Sequence, residues 1–261
     1  MSSSLKDLTT LFTARDYRYF RELDSTNSYL AELLKNQDLA EGTLIRASYQ
    51  HAGRGQTGES WSSREDSNLL ISILFYPVFI PVRELFILNM AFALGVTDYL
   101  KFRINQEEIK IKWPNDIYAG DEKICGMLIE NSINTKGVQH TILGIGLNVN
   151  QEIFPEHVPN PVSMKLISGK EYVLDEELAV LCSFLEARYL QLKNSNQSKI
   201  KDDYLSAMYR IGEEHDFVSG REVFRGRIIG VEEGGKLQVK KQDGNTIAYG
   251  LKEIRFADKP A

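Results

Sequence analysis

Cysteine is scarce in this chain of 261 residues: Cys125 and Cys182 are the only two. Neither sits in a Cys/His spacing that would hold zinc, and two isolated thiols make no disulfide framework. Both are expected to be small buried hydrophobes. A basic excess is missing as well. With 31 Lys and Arg against 36 Asp and Glu, the formal charge is −5, which argues against a general nucleic-acid binder but leaves room for a local basic site. The N-terminal stretch lacks the apolar core of a signal peptide. No apolar run is expected to reach the length that crosses a bilayer, since the longest, "LLISILFYPVFI", is broken by Pro77. There is no long internal repeat and no low-complexity linker. The expectation is a cytoplasmic globular protein without membrane or nucleic-acid partners, large enough for one big domain and a small one.

What is present alternates between helical and extended patterns. "LDSTNSYLAELLKN" opens with the capping types Asp24, Ser25 and Thr26, then sets Tyr29, Leu30, Leu33 and Leu34 on one helical face. "GTLIRASYQ" and "NLLISILFYP" predict strands, and "VRELFILNMAFALGVTDYLKF", apolar nearly all round, predicts a buried helix. "EIKIKWPNDIYAGDEKICGMLIENS" predicts three strands joined by turns, with Lys110 and Lys112 alternating against Ile109, Ile111 and Trp113. "HTILGIGLNVN" predicts another strand, and "QEIFPEHVPNPVSMK", with three prolines, a loop. "DEELAVLCSFLEARYLQLKN" and "KIKDDYLSAMYR" predict helices. From about Gly212 the pattern changes to short alternating segments punctuated by Gly234-Gly235 and Asp243-Gly244, a small barrel or meander of roughly five strands. The expected division is residues 1–211 and 212–261.

Residues 53 to 58, "GRGQTG", satisfy the G-x-G-x-x-G spacing of dinucleotide sites. That motif requires a helix after the third glycine and an acid about 20 residues on. Here "ESWSSREDSN" leads into a strand, and positions 73 to 82 hold no carboxylate. The Walker A pattern fails too, for want of a following Lys-Ser or Lys-Thr pair. What remains is a loop of exposed backbone N–H groups around Arg54, suited to an anion, or a surface turn with an incidental arginine. Lys112, Lys123 and Asn148 at strand ends add cations and polar groups fit for a carboxylate and a phosphate.

Taken together, "DSTN" at 24–27, "YQHAGRGQTGESW" at 49–61, "KWPND" at 112–116, "KICGMLIE" at 123–130 and "GIGLNVN" at 144–150 resemble the biotin protein ligases, that is, the biotin–[acetyl-CoA-carboxylase] ligases. The resemblance runs from about residue 20 to the end. It implies an α+β fold, a mixed sheet flanked by helices with a small SH3-like β-barrel after it. It implies an enzyme that activates biotin with ATP and Mg2+ to biotinyl-5′-AMP. That enzyme then transfers biotin to a lysine of a biotin carboxyl carrier protein of acetyl-CoA carboxylase or a related carboxylase.

Carried over by position, the resemblance assigns Ser25, Thr26, Asn27 and Gln50 to biotin. It assigns Arg54, Gly55 and Gln56 to a loop closing over the biotinyl and phosphate groups. Lys112 would bridge the biotin carboxylate and the α-phosphate, and with Arg54 would form the catalytic pair. Gly53, Trp61, Lys123 and Asn148 would serve the nucleotide. Asp116 is a magnesium candidate or a turn cap, Trp113 and Pro114 shape the turn, and His51 is given no general-base role.

Two departures stand out. The best-known bacterial members carry an arginine at the position of Gln56, which puts tight retention of the adenylate in doubt. The bifunctional ligase–repressors carry an N-terminal helix-turn-helix domain, and the few residues before Ser25 show no paired helices, so a monofunctional enzyme is expected. A monomer and a homodimer are equally compatible. The alternatives are a lipoate–protein ligase, which shares the adenylation logic, and a non-catalytic biotin-binding module, which would have no use for Lys112 and Arg54 together.

Overall fold

The computed structural model describes residues 5–56, 58–104, 108–194 and 196–257, so Thr57 of the glycine loop and the two chain ends, 1–4 and 258–261, lie outside the described residues. The chain opens with β1 (Tyr17–Leu23), then α1 (Thr26–Asn36), β2 (Leu44–Gln50) and β3 (Leu69–Phe75). After α2 (Phe86–Ile104) come β4 (Ile109–Lys112), β5 (Asp116–Ala119), β6 (Glu122–Asn134) and β7 (Gly137–Leu147). Three helices follow, α3 (Met164–Ser168), α4 (Leu174–Lys193) and α5 (Gln197–Ser206). The last elements are β8 (Glu214–Ser219), β9 (Glu222–Val231), β10 (Leu237–Lys241), β11 (Thr246–Tyr249) and β12 (Arg255–Phe256).

Two sheets result. The first has seven strands in the order β1-β2-β3-β7-β6-β5-β4, with β1 and β2 parallel and every other pair antiparallel. The second is a five-stranded antiparallel sheet in the order β11-β10-β9-β8-β12. This is the α+β architecture expected: a mixed sheet with helices and a small all-β unit after it.

Helix α2 explains the main core. It has no polar stripe, and fourteen of its residues, from Ile87 to Ile104, are buried. It packs on one face of the first sheet with α4, where Phe92 stacks on Tyr189 at 6.1 Å. The opposite face receives α1, whose Leu30 joins Ile45, Leu74 and Ile142 in a separate apolar cluster. A fully buried leucine contributes about 1.5–3 kcal/mol, so each cluster anchors its helix firmly. Both cysteines are buried and unpaired, as expected.

Four expectations need correction. The segment Val82–Ile104 does reach 23 residues and, by length and composition, could cross a membrane, with a mean hydropathy of 1.4, but 72% of its apolar 18-residue stretch is buried inside the fold. Strand β1 has no counterpart among the expected elements: only Tyr17 of "YRYFREL" is buried, which leaves an edge strand with no apolar alternation. The proline-rich loop ends in the short helix α3, capped by Ser163, whose hydroxyl accepts the Leu166 N–H. Finally, α5 stops at Ser206 instead of running to Arg210, because the next residues take the free edge of β4: Ile111 N–H donates to Ala207 O at 2.8 Å and Tyr209 N–H to Ile111 O at 2.9 Å.

Candidate active site

A cavity of about 760 Å³ lies between the two sheets, over β6 and β7. Its polar floor begins at the N-terminus of α1. Ser25 caps the helix from an extended conformation, which turns Thr26 and Asn27 inward, and all three are buried. Thr26 donates to Gln50 Oε1 twice, from N at 2.7 Å and from Oγ1 at 3.1 Å. The Ser72 hydroxyl, from β3, lies 2.7 Å from Thr26 Oγ1 and within hydrogen-bond reach of Asn27 Oδ1. Gly144 of β7 makes room for this group: a Cβ there would come within 2.3 Å of Asn27 Oδ1. The floor is therefore uncharged and hydrogen-bonded, with Ile71, Met127 and Ile145 as its apolar surround.

The glycine loop is a small hairpin. Gly55 N–H donates to Glu59 O at 2.7 Å, Trp61 N–H to Gly53 O at 2.9 Å, and Arg54 pairs with Ser60. Of the loop's own donors, the Gly55 N–H is engaged within the hairpin, as are the Glu59 and Trp61 N–H groups that follow, and the Arg54 side chain adds a cation on the cavity wall. Arg54 ion-pairs with Glu130, which also accepts from Asn27 Nδ2 at 2.8 Å. Arg54, Gly55 and Gln56 all line the cavity. Trp61 ends the hairpin with its indole laid over Gly146 and Gly126, where a Cβ would meet ring atoms at 2.4 and 2.8 Å. Its Nε1 is buried and has no partner.

The β4–β5–β6 meander supplies cations. Lys112 pairs with Asp116 across the turn, and its Nζ donates to the Tyr118 hydroxyl at 2.8 Å while lying 4.6 Å from that ring's centroid. Burial lowers the Lys112 pKa; Asp116 opposes this, and Lys123 and Arg210 reinforce it. Lys123 sits 5.6 Å from the Trp61 ring and ion-pairs with Asp116 at 2.8 Å. In the turn between them, Pro114 O accepts from Asn89 Nδ2 at 2.6 Å and from the Tyr204 hydroxyl at 3.0 Å, while Trp113 Nε1 donates to Gly235 O at 2.9 Å. The turn is braced from both sides.

Two expected residues do not reach the cavity wall. Gly53 lies behind the hairpin, where a Cβ would come within 2.5 Å of the Trp61 carbonyl. Asn148 is buried, with Nδ2 donating to Val162 O at 3.0 Å and Oδ1 left without a partner. As for magnesium, no group of three or more His, Cys, Asp or Glu among the described residues is placed to hold a metal, and Asp116 is engaged by Lys123. These residues do not suit a resident metal ion. Sequence reasoning, for its part, placed no site residue beyond Asn148. The cavity wall continues through Tyr209 and Arg210 into the second sheet, to Phe217, Ile254 and Arg255 among others. Among the described residues, six lysines and arginines line it against two carboxylates, Glu59 and Asp116, in a chain whose overall charge is negative. Such a cavity draws in a polyanion.

Comparison with known proteins agrees with this geometry. Residues 19–148 match the model of the biotin/lipoate A/B protein ligase family. The biotin–[acetyl-CoA-carboxylase] ligase of Mycobacterium tuberculosis is 30% identical over 203 residues, 74% of this chain and 73% of that protein. The chain belongs to the biotin/lipoate A/B protein ligase family. Within it, the bifunctional ligase/repressor BirA of Bacillus spizizenii is 28% identical over 92% of this chain and 72% of its own length. The solved biotin protein ligase of Aquifex aeolicus, in complex with biotin and ATP, superposes with a TM-score of 0.77 at 28% identity, covering 93% of this chain and 98% of that one. The family match ends at the close of the first sheet, whereas the structural likeness continues into the second.

Proposed function

We propose that this member of the family is a biotin protein ligase working in two steps. Biotin's carboxylate attacks the α-phosphate of MgATP to give biotinyl-5′-AMP and pyrophosphate. The amine of one lysine on a biotin carboxyl carrier protein, part of acetyl-CoA carboxylase or a related carboxylase, then displaces AMP. The observation that carries this reading is the position of Lys112, on the wall of one cavity that joins an uncharged hydrogen-bonding floor to a cation-rich end.

The chemistry follows from the side chains. The floor of Ser25, Thr26, Asn27 and Gln50 offers hydroxyl and amide groups suited to a neutral ureido ring. Two anions must then meet, a carboxylate and an α-phosphate, and the Lys112 and Arg54 cations lower the cost of bringing them together. No nucleophilic side chain is needed, because the substrate carboxylate is the nucleophile. Trp61 and Lys123 lie on the nucleotide side, with Gly55 and Gln56 on the loop above, and magnesium enters with the nucleotide as part of the co-substrate.

Biotin-dependent exchange of labelled pyrophosphate into ATP tests the reading. Exchange should occur with biotin, be absent with lipoate, and fall at least a hundredfold in Lys112→Ala. Lipoate-supported exchange would move the chain to the other branch of its family. Full activity in Lys112→Ala would remove the proposed centre.

A further inference from the structure

The stretch after α5 brings one further cation to the cavity. Residues 207–209 run beside β4, and this delivers Tyr209 and Arg210 next to Lys112. Immediately afterwards the chain commits to the second sheet, with Ile211 bridged to Ile228 and Gly212 N–H donating to Ile228 O at 2.9 Å. Arg210 therefore stands at the joint of the two sheets. Its φ of 57° is left-handed, a strained conformation for a residue with a β-carbon. The guanidinium lies 4.8 Å from the Tyr209 ring centroid and 5.0 Å from that of Phe256, with Asp121 Oδ1 at 3.6 Å. The Tyr209 hydroxyl donates to the same Asp121 carboxylate.

This mounting is rigid, and it directs a third positive group toward a space already lined by Lys112 and Lys123. Asp116, the carboxylate nearest these lysines in the lining, is bound to Lys123, and Asp121 lies outside the lining. Crowding three cations is unfavourable until an anion carrying several charges arrives. On the ligase reading above, the α-phosphate belongs to Lys112, and the remaining charge of the nucleotide is on its β- and γ-phosphates. We infer that Arg210 binds this pyrophosphate portion and stabilises it as it leaves. As the carboxylate oxygen bonds to the α-phosphorus, the bond from that phosphorus to the bridging oxygen breaks, and the electron pair departs with pyrophosphate. Arg210 keeps its protons throughout and donates two of them to phosphate oxygens. A planar guanidinium held against the Tyr209 and Phe256 rings is suited to that fork, and a lysine is not.

The test uses the full chain and separates the two half-reactions. In biotin-dependent exchange, Arg210→Gln should raise the KM for MgATP and for pyrophosphate about tenfold or more, the effect of losing hydrogen bonds to a charged group, and leave the KM for biotin within about twofold. With chemically prepared biotinyl-5′-adenylate supplied in place of ATP, biotin transfer to a biotin carboxyl carrier domain should match wild type. Arg210→Lys, which keeps the charge and serves if the glutamine variant folds poorly, should fall between the two. Unchanged nucleotide and pyrophosphate KM values, or an equal loss in both half-reactions, would overturn the assignment and leave Arg210 a structural strut. Wild-type enzyme that exchanges no pyrophosphate with biotin would instead overturn the ligase reading on which the assignment rests.

Discussion

Lys112 donates to the hydroxyl of Tyr118 at 2.8 Å, from the first strand of a hairpin to the second. The contact holds the ammonium against a buried ring and uses one of its three protons. In Tyr118→Phe the acceptor disappears while the ring face stays, so the lysine loses aim but keeps its charge. Steady-state exchange kinetics should register a drop in kcat of about tenfold with little change in the KM for biotin, within the range for a hydrogen bond to a charged group. A changed biotin KM at constant kcat would place Tyr118 on the substrate instead.

On the proposed reading, the same lysine is expected to set the alkaline limit of activity. Burial lowers its pKa, so in the free enzyme it becomes neutral at a pH below the ordinary lysine value of about 10.4. Above that pH the charge that draws the two anions together is gone, and kcat/KM for exchange declines as pH rises. In Lys112→Arg, whose guanidinium stays protonated, that limb should vanish even though the neutral-pH rate is lower. An identical limb in the variant would assign the titration to another group.

On the proposed reading, Glu130 competes with the ligand for Arg54, with which it is ion-paired. The pair is part-exposed, with side-chain accessibilities of 40% for Glu130 and 44% for Arg54, so its worth is at most about 1 kcal/mol. Glu130→Gln should keep an acceptor for Asn27 and free Arg54, which tightens binding of a non-hydrolysable biotinyl-adenylate analogue by up to about fivefold in calorimetry. Weaker binding would mean that the carboxylate serves the ligand directly.

Gln56 is neutral and lies on the cavity wall. A Gln56→Arg variant adds a cation to the loop and should slow dissociation of biotinyl-adenylate several-fold in stopped-flow measurements, more so at low salt. A dissociation rate equal to wild type would separate retention of the intermediate from loop charge.

Trp61 rests on two glycines because nothing larger leaves space for its indole. In Gly146→Ala the new methyl would sit within 2.4 Å of ring atoms, so the indole must move off the sheet. Trp61 is one of only two tryptophans. The expected outcome is a shifted emission maximum and an MgATP KM raised about tenfold or more, with biotin affinity within about twofold. Unaltered nucleotide KM would detach the tryptophan from the nucleotide side.

Much of the site could be read from local pattern. Strand alternation sets Lys112 beside a turn, helix-capping types set Ser25 at a helix start, and the glycine loop fails the dinucleotide test; their assignment to one site comes from the resemblance to the biotin protein ligases. What could not be read depends on contacts between distant segments. Arg210 reaches the cavity only because residues 207–209 leave a helical pattern to pair with β4, an event that no local periodicity announces. The wall formed by Phe217, Ile254 and Phe256 looks in sequence like an ordinary strand interior. Asn148 stands off the cavity wall, its amide nitrogen bound to the Val162 carbonyl and its Oδ1 without a partner among the described residues.

Trp113 reaches across to the second sheet and finds a main-chain carbonyl, that of Gly235, while Phe86 fills the place where a side chain at 235 would stand, within 2.4 Å of its Cβ. This one contact between the units thus uses a feature that every peptide shares and a residue defined by having no side chain. The contact survives changes in the neighbouring side chains so long as position 235 stays bare, while Phe217, Ile228, Leu237 and Val239 tie the second sheet into the main core. A chimera that grafts another member's C-terminal unit onto this one keeps the Trp113 contact only if a glycine stands at that position.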